Sequence, residues 1–291
     1  MTEPSRASSR RALAGGVAVA IALAGAGFIV GRNAGPGPDA PAPSPTPSMT
    51  PSPTPSPPTP VVTPSLDRAA VLAAVRAAAD AFASGRSPPP EVTALDGRRF
   101  ELRLPFGCRG PAPADSPLGW RYDEENGALR VSASPSPFDP AAWLGAGADG
   151  VDLIEGFWVE RPWTSSEACP VIPSDAPDGA PPPERTLALA QIHGTGESRV
   201  GRREGDAFQA VEKVAPDALR LDQGLRLRLT GRVVSAPGGR GPVICRSPTP
   251  SGGRPVCLLS VALDEVAIEN PVPASTLATW AVSSAGGEEG R

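Results

Sequence analysis

Thirteen prolines fall within the 31 residues from Gly35 to Ser65, where Asp39 is the sole charge and Ser, Thr and Ala supply most of the remainder. A stretch with so little apolar surface cannot offset the entropy of ordering its own backbone, so residues 32–65 are expected to be a disordered linker favouring polyproline II. Stretched at about 3.1 Å per residue, it reaches roughly 90–100 Å. Folding is therefore confined to the two flanks, and these differ in kind.

On the N-terminal side, Ala12 to Gly31 is an uncharged run of twenty small and aliphatic residues. That is the length of a transmembrane helix. Arg6, Arg10 and Arg11 precede it and Arg32 follows, so residues 1–11 are expected in the cytoplasm and everything beyond the span outside it. A cleaved signal peptide is the rival reading, although Arg32, two residues before Ala34 and so at the −3 position of a cleavage after it, is ill suited there. Ser9-Arg10-Arg11 resembles a twin-arginine export signal, but plain basic flanking is the preferred reading of it. Lys213 is the sole lysine, an arginine bias typical of a GC-rich bacterium. The expected address is a single-pass anchor in a bacterial inner membrane with the C-terminal domain outside.

Beyond the linker lie all but four of the 27 Lys and Arg and all but two of the 31 Asp and Glu, for a formal charge of minus 6. This excludes the electrostatic footprint of a nucleic-acid binder. With 39 Pro and 32 Gly in the chain, long helices cannot dominate. One short helix is expected after Ser65 as N-cap, with Leu72, Val75, Ala79 and Phe82 on its apolar face and Gly85 at its end. Asp96-Gly97 predicts a hairpin between Val92–Leu95 and Phe100–Phe106, and the turn Asp123–Gly127 a second one joining Trp120 and Tyr122 to Leu129, Val131 and Ala133. Residues 151–159, 186–193, 207–214, 225–234, 243–246 and 256–268 also read as strands. The fold class is thus mainly β (α+β), an antiparallel β-rich domain over 66–281 with one N-terminal helix, a possible lobe boundary near 216–224, and a disordered tail at 282–291. The last three strands resemble part of an oligonucleotide/oligosaccharide-binding barrel, a likeness of architecture that carries no function.

Four cysteines on the expected extracytoplasmic side suit two disulfides. Cys245 with Cys257 would clamp a hairpin, and Cys108 with Cys169 would tie the early strands to a proline-rich loop. No Cys-x-x-Cys is present for redox chemistry. The single His193 excludes any site needing two imidazoles, and a strand-end histidine accounts for it. Gly145 to Gly150 matches the dinucleotide fingerprint in letters only, because no strand precedes it and no helix follows. No cofactor, metal site or catalytic residue is therefore expected.

Phe157 to Trp163 places three aromatics, Glu160 and Arg161 within seven residues, just after Asp152 and Glu155. Aromatic faces stack on sugar rings, and charged groups bind their hydroxyls and acids. The candidate ligand-binding residues are Trp158, Arg161 and Trp163; the competing reading is a strand with its aromatics in the core. The expected function is a non-enzymatic, membrane-anchored binding or interaction module of the cell envelope, its partner another envelope protein or cell-wall glycan. The alternative is an extracytoplasmic glycan hydrolase using paired carboxylates among Asp152, Glu155 and Glu160.

Overall fold

The computed structural model describes residues 64–113, 116–171, 185–195, 207–248 and 253–282. The expected N-terminus, membrane span, almost all of the linker and the tail from 283 lie outside these residues. No helix among the described residues is long and apolar enough to cross a membrane.

Helix α1 (Arg68–Ala83) opens on Asp67, not Ser65: the Asp67 carboxylate accepts a 2.8 Å bond from the Ala70 N–H. Its buried face is also turned relative to the expected one. Leu72 and Val75 are buried as expected, but Val71, Ala74, Ala78 and Ala81 join them and Phe82 stands 41% exposed. Small residues let the helix lie close to the sheet, so the alanines, and not the terminal phenylalanine, make the contact. The segment expected as the first strand of a hairpin is a single helical turn, α2 (Pro90–Thr93). Proline at its first position is pre-set for helix, and Asp96-Gly97 turns the chain from there into β1 (Arg99–Phe106).

In β1 the alternation holds, with Phe100, Leu102, Leu104 and Phe106 all buried. Strands β2 (Leu118–Asp123) and β3 (Ala128–Ala133) form the second expected hairpin, and β7 (Phe208–Lys213) completes a three-stranded sheet in the order β2-β3-β7. The larger sheet has eight strands. Its path is β1-β8-β10-β6-β5-β4, with β4 (Ser136–Phe138), β5 (Val151–Trp158), β6 (Leu187–Gly194), β8 (Leu225–Val233) and β10 (Val256–Asn270); β9 (Val243–Arg246) and β11 (Ser275–Ala281) also pair with β10. The pairings among the described residues form this open path and do not close into a barrel. They are antiparallel except β6 with β10, a parallel pair that β7, β8 and β9 separate in sequence.

The length of β10 organises the domain. Its first half lies between β6 and β9 and its second between β8 and β11, with a bulge between Leu263 and Glu265. Where it leaves β6, the Leu263 N–H bonds to the side-chain oxygen of buried Gln191 at 2.7 Å. The near-continuous apolar runs of β6 and β10 follow from burial on both faces. On one side Leu187, Leu189, Phe157, Cys257 and Leu259 join α1, β1 and β8 in the main core. On the other, Ala188, Ala190, Ile154 and Leu258 pack under α3 (Pro140–Leu144) with Phe138 and Trp143. The glycine-rich run 145–150 links α3 to β5 and begins as a 3-10 turn. Gly156 lies opposite Ala190, where a Cβ would fall on the Leu189 carbonyl.

Both disulfides join the expected partners, Cys108 with Cys169 and Cys245 with Cys257, and the second links residues in direct register on β9 and β10. Two such bonds fit an oxidising, extracytoplasmic compartment.

Candidate functional site

Strand β5 alternates, so the aromatic cluster is divided. Phe157 enters the main core 6.2 Å from the Phe208 ring, while Trp158 faces the second cluster and meets Phe138 edge-on at 5.2 Å. The chain then leaves the sheet in a tight turn. Arg161 adopts a positive φ of 52°, and its guanidinium donates to the Ala168 carbonyl at 2.6 Å. Of the three candidate residues Trp163 is the exposed one, with 55% of its surface open, whereas Trp158 and Arg161 are half-buried.

The turn is held from behind by a residue in the first turn of α1. Arg68 is 2% exposed, and its guanidinium donates to the carbonyls of Glu160 (2.8 Å), Thr164 (2.9 Å), Arg161 (3.3 Å) and Arg103 (3.4 Å). Burial pushes its pKa down; Glu167 opposes that and the Arg161 charge adds to it. A little over two turns along the helix, Arg76 donates to the Pro162 carbonyl at 3.3 Å. A planar five-donor cation suits this work, because it satisfies several turn carbonyls that no strand partner reaches.

Between α1 and this turn runs a groove of about 790 Å³, within the size range of ligand sites. Trp163 and Pro162 form one flank, and Leu72, Val75 and Ala79 of α1 supply apolar lining. Arg76, Asp80 and Arg254 bring charge of both signs, and Pro255 and Cys257 carry the floor to the β9–β10 disulfide. Trp158 and Arg161 do not line it. Arg76, Asp80 and Arg254 escaped sequence reasoning, which had no local signal to join positions 76, 163 and 254.

The carboxylates behave differently. Glu155 is 3% exposed and lies 3.8 Å from Nε2 of His193, beside a void of about 10 Å³ that is too small for a sugar. Asp152 accepts from the Thr195 hydroxyl at 3.0 Å, and Glu160 pairs with Arg185 at 3.5 Å. None of the three lines the groove. Among the described residues no group of three His, Cys, Asp or Glu side chains is placed to hold a metal ion. No family model matches the chain, and neither the curated proteins nor the solved structures include one that does.

Proposed function

We propose that this is a non-enzymatic, membrane-anchored binding domain of the cell envelope whose ligand, a cell-wall glycan, lies in the groove between α1 and the Glu160–Thr164 turn. The observation that carries the reading is Trp163: a large aromatic face, exposed, on the flank of a groove that also holds two guanidiniums and a carboxylate. An indole in that position stacks on a sugar ring, and Arg76, Arg254 and Asp80 supply donors and an acceptor for its polar substituents. Hydrolysis is the weaker reading, because a pair of carboxylates must flank the scissile bond and Asp80 is the one carboxylate of the groove lining. The two disulfides support an extracytoplasmic address, and the anchoring rests on the apolar run Ala12 to Gly31.

The test is retention of the purified full-length chain on cell-wall sacculi, in mild detergent with its disulfides intact. Trp163→Ala is expected to abolish retention while the thermal midpoint stays within about 2 °C of the parent, as for other exposed positions. Equal retention of parent and variant would remove the groove as the glycan site, and no retention of the parent would turn the reading towards a protein partner.

A further inference from the structure

Arginines stand directly opposite one another across strand pairs in both sheets, and such like-charge pairs are unfavourable unless something lies between them. In the larger sheet, Arg103 of β1 faces Arg228 of β8. A single carboxylate joins them: Glu269 lies 2.9 Å from Nε of Arg103 and 2.7 Å from Nε of Arg228. Glu101 and Glu265 complete the arrangement, at 2.6 Å from Arg103 and 2.9 Å from Arg228. Although burial opposes it, the hydrogen bond and charge of Glu269 raise the Arg103 pKa.

The smaller sheet repeats the juxtaposition without the bridge. Arg121 of β2 faces Arg130 of β3, both exposed, on the side of the sheet turned away from the core. Among the described residues no ion pair joins either of them to a carboxylate. Arg121 donates a long 3.4 Å bond to the Ala112 carbonyl. The acidic residue two places along β2 is Asp123, and its carboxylate accepts from the backbone and side-chain N–H groups of Asn126 at 3.1 and 2.8 Å. On the other flank, Arg130 faces Val211 of β7, an aliphatic residue 53% exposed. Both arginines line a dent of about 190 Å³ whose remaining walls include Gly119, Ser132, Gln209 and Val211. At Gly119 the missing side chain makes room for Ala112, whose Cβ lies 2.7 Å from where a Cβ would stand, and Ser132 and Gln209 offer hydrogen bonds to a polar neighbour.

We infer that the Arg121–Arg130 pair is a second binding site, separate from the α1 groove, that takes the acidic group of a small polar ligand in the position Glu269 occupies between Arg103 and Arg228. A carboxylate or phosphate there accepts from two guanidinium forks at once, the bidentate geometry in which arginine binds oxyanions most strongly. The hydroxyl of Ser132 and the amide of Gln209 suit the hydroxyls of a sugar that carries such an acid.

The test is calorimetric titration of the full-length protein with glucuronate and with inorganic phosphate, at constant ionic strength, with glucose as the neutral control. At least one anion is expected to bind where glucose does not, and the stronger of the two identifies the acid. Arg121→Ala and Arg130→Ala should each weaken binding about tenfold, the loss of a charge-assisted contact. Val211→Glu should abolish binding, because it places an internal carboxylate opposite Arg130. Far-UV circular dichroism identical to the parent shows that each variant is folded. Failure of both anions to bind the parent, or binding unchanged in the two arginine variants, would overturn the assignment; either result leaves the groove reading intact, because Trp163 lies in a different place.

Discussion

Replacing Arg68 by Met removes every donor of the buried guanidinium while keeping a long, unbranched side chain in its place. The two short bonds, to Glu160 at 2.8 Å and Thr164 at 2.9 Å, are charge-assisted and contribute about 1.5–3 kcal/mol each. Against their loss stands the desolvation cost that the lowered Arg68 pKa records, which a thioether does not carry. The net expectation is a destabilisation of about 3 kcal/mol, with carbonyls in the Glu160–Thr164 turn left without a donor. For a domain of this size that is about 6–12 °C in the unfolding midpoint. The assay is thermal unfolding followed by circular dichroism, with both disulfides oxidised. Arg68→Lys is the informative companion: it keeps the charge but not the planar fork, and it should recover less than half of the loss. A midpoint for Arg68→Met within about 2 °C of the parent would refute the claim that buried hydrogen bonds to this guanidinium hold the turn.

Three further outcomes follow from the geometry. Gly156→Ala would set a methyl group 2.6 Å from the Ala190 Cα and against the Leu189 carbonyl, so it should cost about 3 kcal/mol or prevent folding, as read by denaturant titration. Removing a disulfide as a double Cys→Ser variant should cost about 4 kcal/mol for Cys108 with Cys169 and about 3 kcal/mol for Cys245 with Cys257, since their sequence separations are 61 and 12. The order, measured by urea unfolding, is the sharper test. The hydrogen bonds from Asn126 hold the Asp123 carboxyl below its ordinary range, so its contribution to the β2–β3 turn is complete above the unfolded value of about 4 and is lost as the pH falls through the lower folded value. A carboxyl titration of Asp123 by NMR should therefore fall below that of a free aspartate, and Asn126→Ala, which removes the side-chain bond but keeps the backbone N–H and the Arg130 charge, should return it only part of the way.

Much of the β-sheet architecture was legible because its signals are local. Phe100, Leu102, Leu104 and Phe106 alternate with Glu101, Arg103 and Pro105, and the β2–β3 turn carries its own acidic and glycine residues, so period and punctuation agree. Strands β4 and β11 were not legible. The first is three residues long with a proline at its centre, and the second has three partly exposed apolar residues, Leu277, Ala278 and Trp280, at a sheet edge. At Asp96-Gly97 the dipeptide correctly marked a turn, but the prolines before it had already committed the preceding segment to helix. The site was the least legible part. Trp158 and Trp163 look equivalent in sequence, and the end of β5 between them sends one into the second core and the other to solvent. Nothing in the letters of α1 marks Arg68 as buried, because its partners are carbonyls more than ninety residues away, save that of Arg103.

Redox state ties these elements together. The groove floor ends at Cys257, bonded to Cys245 on the paired strand, and Arg161 donates to the Ala168 carbonyl, one residue before Cys169. The turn that presents Trp163 is thus held by Arg68 from the helix and lies in a segment that Cys169 fastens to the end of β1. If glycan binding depends on this preorganisation, it should weaken before the fold is lost. Mild reduction that opens Cys108–Cys169 alone should lower retention on sacculi while the β-sheet circular dichroism persists, and reoxidation should restore it. Retention that survives until global unfolding would mean that the Arg68 contacts position Trp163 without help from the disulfide.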